Sequence, residues 1–208
     1  MKLYVVFLLL LVNANSFSQD ITMNKEVKEI VKLGKDAIVK MALGMIDEDV
    51  SAQNFSRIKV MTNGETVQVS FRNPIKYLPV NSVFYSDFGV DVLKNVISYA
   101  KVSNENFNAD DKISPYYKTE EMENTIQFVI ESINSSDNVG SIDIASFEDD
   151  MTIRESKDYY DILVVSEFQE STYKIDKESG NVFDVNHAKL MSSPTFDNGQ
   201  EKEFVEVN

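Results

Sequence analysis

From Asn24 to Ile46 apolar residues recur at helical spacing: Val27, Ile30, Val31, Ile38, Met41, Ala42 and Met45 fall on one face, with Lys and Glu between them. The pattern predicts one amphipathic helix, interrupted at Gly34 and Gly44 and with its apolar face toward a core. Arg57 to Met61 and Glu65 to Phe71 alternate apolar with polar residues around Thr62-Asn63-Gly64, which predicts a β-hairpin turned by Asn-Gly. Pro74 and Pro79 cannot donate strand hydrogen bonds, so residues 71–79 are expected to form a loop. Its Ile75, Tyr77 and Leu78 must then either pack inward or meet a partner.

Ser86 or Asp87 can cap a helix reaching Val102, on the i, i+4 series Phe88, Val92, Val96 and Ala100. The alternative is a strand across Val96 to Val102. Residues 103–117 are rich in Asn, Asp and Ser, and read as a linker or long loop. Thr119 caps the clearest helix, with Glu120, Glu121 and Glu123 at its positive end and Met122, Ile126, Ile130 and Ile133 as its apolar stripe.

Short apolar stretches follow at Ile142 to Phe147, Met151 to Arg154, Tyr159 to Glu167, Ser171 to Ile175 and Val182 to Asn186. Gly180 closes the turn between the last two, and together they read as an antiparallel meander. Residues 192–208 lack a long apolar period and are expected to fray. No internal sequence repeat is evident. The expected fold is α+β, with helices packed on one face of an antiparallel β-meander; two small α+β subdomains are the alternative arrangement. The expected division is 1–18, 19–102, a linker at 103–117, 118–191 and a flexible tail at 192–208.

The N-terminal end changes the picture. Lys2 is followed by ten apolar residues, Leu3 to Val12, and then by a polar stretch with small residues at Ser16 and Ser18. This is the three-part pattern of a cleavable signal peptide, with cleavage expected after Ser18. A membrane-spanning helix needs about 20 apolar residues, twice this run. There is no cysteine to carry a lipid, so the expected product is soluble and lies in the periplasm or outside the cell.

The lack of cysteine also removes disulfides, thiolate metal sites and cysteine nucleophiles. The whole chain carries a net charge of −14, and removing Lys2 with the leader makes it −15. That field repels phosphate backbones and anionic lipid, so no nucleic-acid partner and no stable membrane anchor is expected. A protein partner is expected instead, and a basic one fits the charge best.

Candidate chemistry is sparse. His187 is the only histidine, it stands at the end of an expected strand, and no G-x-S-x-G elbow accompanies it, so it reads as a surface residue. Asp137 to Glu148 has the length of a calcium loop, but Val139 and Ile142 occupy positions that need a carboxylate and a glycine. The acidic groups Glu120-Glu121, Glu148-Asp149-Asp150 and Asp158 with Asp161 offer paired carboxylates of the kind glycoside hydrolysis uses, though nothing in the sequence sets two across a cleft. No Gly-rich phosphate loop occurs, and Asn54 and Asn134 match the glycosylation pattern. No residue is therefore assigned a catalytic, cofactor or metal role, and no cofactor is expected.

Tyr159-Tyr160-Asp161-Ile162-Leu163-Val164-Val165, followed by Ser171 to Val182 with its Asp176…Gly180 turn, resembles the closing strands of PepSY-type domains. The order of helices followed by a meander also resembles BamE-like and β-lactamase-inhibitor-protein domains. The resemblance implies an exported binding or assembly module rather than a catalyst. The alternatives are an inhibitor or immunity-type protein with an acidic binding surface, and a small hydrolase using paired carboxylates.

Overall fold

The computed structural model describes residues 22–46, 50–104, 113–137, 139–190 and 203–207. Among them, three helices and two mostly antiparallel sheets give the α+β class that the hydrophobic pattern predicts. The proposed leader, residues 1–18, lies outside the described residues.

Two helices, α1 (Lys25–Val31) and α2 (Lys35–Ile46), replace the single helix expected from Asn24 to Ile46. Asn24 caps α1 by accepting from the Val27 N–H at 2.8 Å. Gly34, at φ +82°, takes the left-handed conformation that ends the first helix, while Gly44 stays inside the second. The break lets Val27, Ile38 and Ala42 reach the same core.

The hairpin of β1 (Arg57–Thr62) and β2 (Val67–Arg72) forms as predicted, with a four-residue connection. Asn63 Oδ1 accepts from the N–H groups of Glu65 and Thr66, and Gly64 lies at φ +86°.

The expected loop at 71–79 is instead interrupted by a strand. β3 (Ile75–Leu78) is buried at all four positions, with Pro74 and Pro79 just outside it. Ile75, Tyr77 and Leu78 pack inward, which removes them as a docking surface. A strand buried on both faces shows no alternation, so four residues between prolines looked like a loop.

The helix expected from Ser86 or Asp87 to Val102 does not form, and the alternative strand does. β4 (Val83–Asp91) and β5 (Val96–Ser103) are antiparallel, turned by residues 92–95. Asp91 Oδ1 accepts from the N–H groups of Leu93 and Lys94, and Asn95 takes φ +54°. Phe88 and Val90 alternate into the core, a period-2 signal that the i, i+4 series concealed.

After the short β6 (Ser114–Pro115) comes α3 (Glu120–Asn134), where Thr119 caps as expected by accepting from Met122 N–H at 3.2 Å. Ile126, Val129, Ile130 and Ile133 are its buried face. The strand expected at Ile142 to Phe147 is a loop. Asn134 exchanges two hydrogen bonds with the Ile142 backbone, and Asp143 accepts from Ala145 N–H and the Ser146 hydroxyl. These local polar contacts compete with a strand ladder.

The meander then follows in register: β7 (Asp150–Glu155), β8 (Tyr159–Val165), β9 (Gln169–Asp176) and β10 (Val182–Lys189). Gly180 turns the last pair at φ +70°. Of the tail, 191–202 lies outside the described residues. Its end is held rather than frayed, because β11 (Val205–Glu206) pairs with β1 and Val207 is buried.

The first sheet runs β11-β1-β2-β4-β5, with β6 alongside β4; α1 and α2 pack against it. The second runs β10-β9-β8-β7-β3 beneath α3. Helix followed by four meandering strands thus occurs twice, a repeat of architecture without a repeat of sequence. The one parallel pair of the second sheet is β3 with β7, Ile75 opposite Met151.

Polar groups stitch the two sheets at that crossing. Tyr77 N–H donates to the buried Tyr116 hydroxyl at 2.8 Å, so part of the expected linker at 103–117 is core. Asn104 Nδ2 donates to the carbonyls of Leu78, Pro79 and Glu155. Lys76, only 4% exposed, sets its Nζ 2.9 Å from Asp87 and 3.8 Å from Asp150, and Arg72 holds both oxygens of Asp150.

Candidate functional site

Two clefts and one sheet edge stand out. The first cleft, about 510 Å³, lies at the N-terminal end of α3 and is lined by Glu120, Glu121, Asn124, Thr125, Phe128, Tyr160 and Lys177. Lys177 Nζ donates to Glu155 Oε1 at 2.6 Å and sits 5.1 Å from the Tyr160 ring centroid. Burial pushes the Glu155 carboxyl up, but Lys177, the Tyr77 hydroxyl and the Val80 N–H together hold it below its ordinary range. Burial, and then Glu155 itself, push the Tyr77 hydroxyl well up. The cation is therefore committed to a structural carboxylate.

The second cleft, about 450 Å³, gathers Asp143, Glu148, Asp149, Gln169, Ser171 and His187 among its lining. His187 and Ser171 are directly opposite on β10 and β9, and Nδ1 lies 2.9 Å from Ser171 Oγ. Gln169 Nε2 donates to Ser171 Oγ at 2.8 Å and lies 3.2 Å from the same His187 nitrogen. A serine nucleophile needs a base oriented by a third group, and an oxyanion site nearby. Here the third group is an amide on the same ring nitrogen, and Ser171 lies mid-strand, so the trio is a cross-strand polar pairing.

No local sequence signal marks this contact, because it depends on strand register. Asp143 is tied into its own turn, accepting from the Ala145 N–H and the Ser146 hydroxyl. Among the described residues no group of three or more His, Asp or Glu is placed to hold a metal. Glu120-Glu121 lines the first cleft and Glu148-Asp149 the second, while Asp150 is paired with Arg72. The Asp161 carboxylate lies 3.4 Å from the Ser156 hydroxyl, and Asp158 accepts Lys177 N–H through its carbonyl.

The edge is β5. Sheet edges expose unpaired backbone groups, and proteins close or guard them. The edge at β1 is covered by β11, with Val207 N–H on the Val60 carbonyl at 2.8 Å. The edge at β3 is buried, with Tyr77 N–H and the Leu78 carbonyl taken by Tyr116 and Asn104. The edge at β10 carries a register shift between Phe183 and Asn186, and Asp184 sits in it at φ +53°.

Among the described residues the fourth edge is neither covered, buried nor bulged. β5 pairs with β4 along eight residues, and the register shift of that pair is accommodated on β4 at Asp87. Its first six residues are exposed, including Val96 at 53%, Ile97 at 37% and Tyr99 at 55%. Tyr99 leans on Tyr85, ring centroids 4.2 Å apart, and its hydroxyl raises the Tyr85 pKa above its ordinary value.

No family model, curated protein or solved structure matches this chain.

Proposed function

We propose that this protein is an exported interaction module that binds another polypeptide by strand addition at β5, and that it is not a catalyst. The observation that carries the reading is the contrast among the four sheet edges: three are covered, buried or bulged, and β5 is regular and has no strand added to it among the described residues. An added strand gains main-chain hydrogen bonds along the edge, with side-chain contacts at alternate residues giving selectivity. Export is the expectation from Leu3 to Val12 and the polar residues after it, and the resemblance to PepSY-, BamE- and β-lactamase-inhibitor-protein-type domains supports a binding role. Among the described residues no helix is long and apolar enough to cross a membrane.

The test is affinity capture from the envelope and medium of the producing cells, with wild type and Ala100→Lys as baits at low and high salt. Capture that the edge substitution abolishes supports strand addition. Capture lost in salt but indifferent to Ala100→Lys would instead support an inhibitor acting through its acidic surface. If no polypeptide is held by either bait, the interaction reading fails.

A further inference from the structure

We infer that the strand β5 receives is β5 of a second copy of this chain, so that the protein forms a two-fold dimer with a sheet continuous across both molecules. The inference rests on the strand-addition reading and names its partner. An antiparallel edge is self-complementary: the same strand turned by a two-fold axis presents its N–H and C=O groups in matching order. Among the described residues, the four-edge contrast leaves β5 as the edge where such pairing needs no rearrangement.

Charge favours the same place. Each copy carries −14, so two copies repel over most of their surfaces. From Val92 to Asn104 there is no carboxylate, and Lys94 and Lys101 are the only charged residues. Two copies meeting along β5 therefore do so at an acid-free strip. The competing edge, β10, carries Asp184, Lys189 and a bulge.

The faces also match. Phe88 is opposite Tyr99 and Val90 opposite Ile97, so Ile97 and Tyr99 share the side of the sheet that α1 and α2 cover at β2 and β4. Both are nonetheless well exposed. A two-fold axis perpendicular to the sheet keeps that side continuous and pairs odd-numbered residues with odd-numbered ones. With Tyr99 on the axis, Ile97 faces Lys101 of the second copy and Val96 faces Val102. The two Lys101 residues are then about 14 Å apart along the strand at ~3.4 Å per residue, beyond the ~8 Å over which charges interact strongly at physiological salt.

The contact is short. Eight residues span about 27 Å of strand, which buries less than the roughly 1,200 Å² of a standard stable interface. The dimer is accordingly a dynamic one, with a dissociation constant between about 10 μM and 1 mM.

Sedimentation of the protein from about 1 μM to about 1 mM, with amide hydrogen exchange at both ends of that range, tests this. The expected result is monomer giving way to dimer, with added protection confined to Val96–Ser103. Ala100→Lys and, separately, Ile97→Lys should each weaken dimerisation at least tenfold while leaving the circular dichroism and unfolding midpoint near wild type. A monomer throughout, protection elsewhere, or a dimer indifferent to both substitutions overturns the inference. If the protein stays monomeric yet captures a different polypeptide that Ala100→Lys releases, the second copy is wrong and strand addition stands. If it does neither, both readings fall.

Discussion

The buried ammonium of Lys76 supports a sharp prediction about what locks the two sheets together. Its Nζ lies 2.9 Å from Asp87 Oδ2 in a residue only 4% exposed, with Asp150 more distant at 3.8 Å and already held by Arg72. Replacing Asp87 by Asn removes the charge and keeps the shape. Asp87 takes φ +52°, and Asn tolerates that left-handed conformation about as well as Asp, so backbone strain does not enter the comparison. Breaking a buried pair from one side costs about 3–5 kcal/mol. Asp87 keeps 22% of its side chain exposed and Asp150 remains near, so the expected cost is reduced to roughly 2 kcal/mol.

Lys76→Met should behave differently. It removes the buried cation together with its desolvation cost, and leaves Asp87 partly solvated with the Asn73 N–H at 3.3 Å, so the loss is expected to be under about 1 kcal/mol. The double variant should then be more stable than Asp87→Asn alone. Urea unfolding of the four proteins reads this directly: at a slope near 2 kcal/mol/M, Asp87→Asn lowers the midpoint by about 1 M and Lys76→Met by less than half of that. A neutral Asp87→Asn, or a Lys76→Met that costs more than it, would show that the buried pair does not lock the two sheets.

Tyr116→Phe removes the acceptor of the Tyr77 N–H in a buried setting and should cost about 1–3 kcal/mol in the same unfolding assay. Deleting residues 203–208 uncovers β1 and empties the Val207 site; the expected loss is about 1.5–3 kcal/mol, with concentration-dependent aggregation by light scattering. Because the folded pKa of Glu155 is depressed, its stabilisation is complete above the ordinary value of about 4.5 and is lost as pH falls through the folded value. Midpoints measured from pH 7 to pH 3 should fall less steeply for Glu155→Gln than for wild type.

What the sequence made legible was whatever is decided locally. Thr119 and the stripe from Met122 to Ile133 define α3 by capping and period alone, and β7 to β10 are bounded by turns whose residues announce themselves, Gly180 above all. The errors arose where a long-range partner decides the outcome. Phe88, Val92, Val96 and Ala100 satisfy a helical spacing, but Phe88 lies on β4, Val92 in the turn at 92–95, and Val96 and Ala100 on β5. Ile75–Leu78 becomes a strand because β7 is there to receive it, and Val205–Glu206 because β1 is. The edge character of β5 was the least legible of all. Nothing within Val96–Ser103 states that it ends the sheet among the described residues, since that is a property of sheet order.

Sheet order also explains why one edge is left over. By sequence β3 belongs with the first helix pair, yet it completes the second sheet; β11 follows the second meander, yet it completes the first. Each sheet therefore has its first meander strand, β1 or β7, covered by a strand contributed from the other half of the chain. Each ends on its own last meander strand, β5 or β10, for which no further strand is supplied among the described residues. The two ends are then treated differently. β10 is bulged at Asp184, which twists its backbone groups out of line, whereas the irregularity beside β5 is placed one strand inward, at Asp87, where it also aims a carboxylate at Lys76. The same bulge that anchors the buried ion pair leaves the outer strand straight. The bulge in β4 thus serves the junction of the sheets through Asp87, while the left-over edge at β5 follows from sheet order.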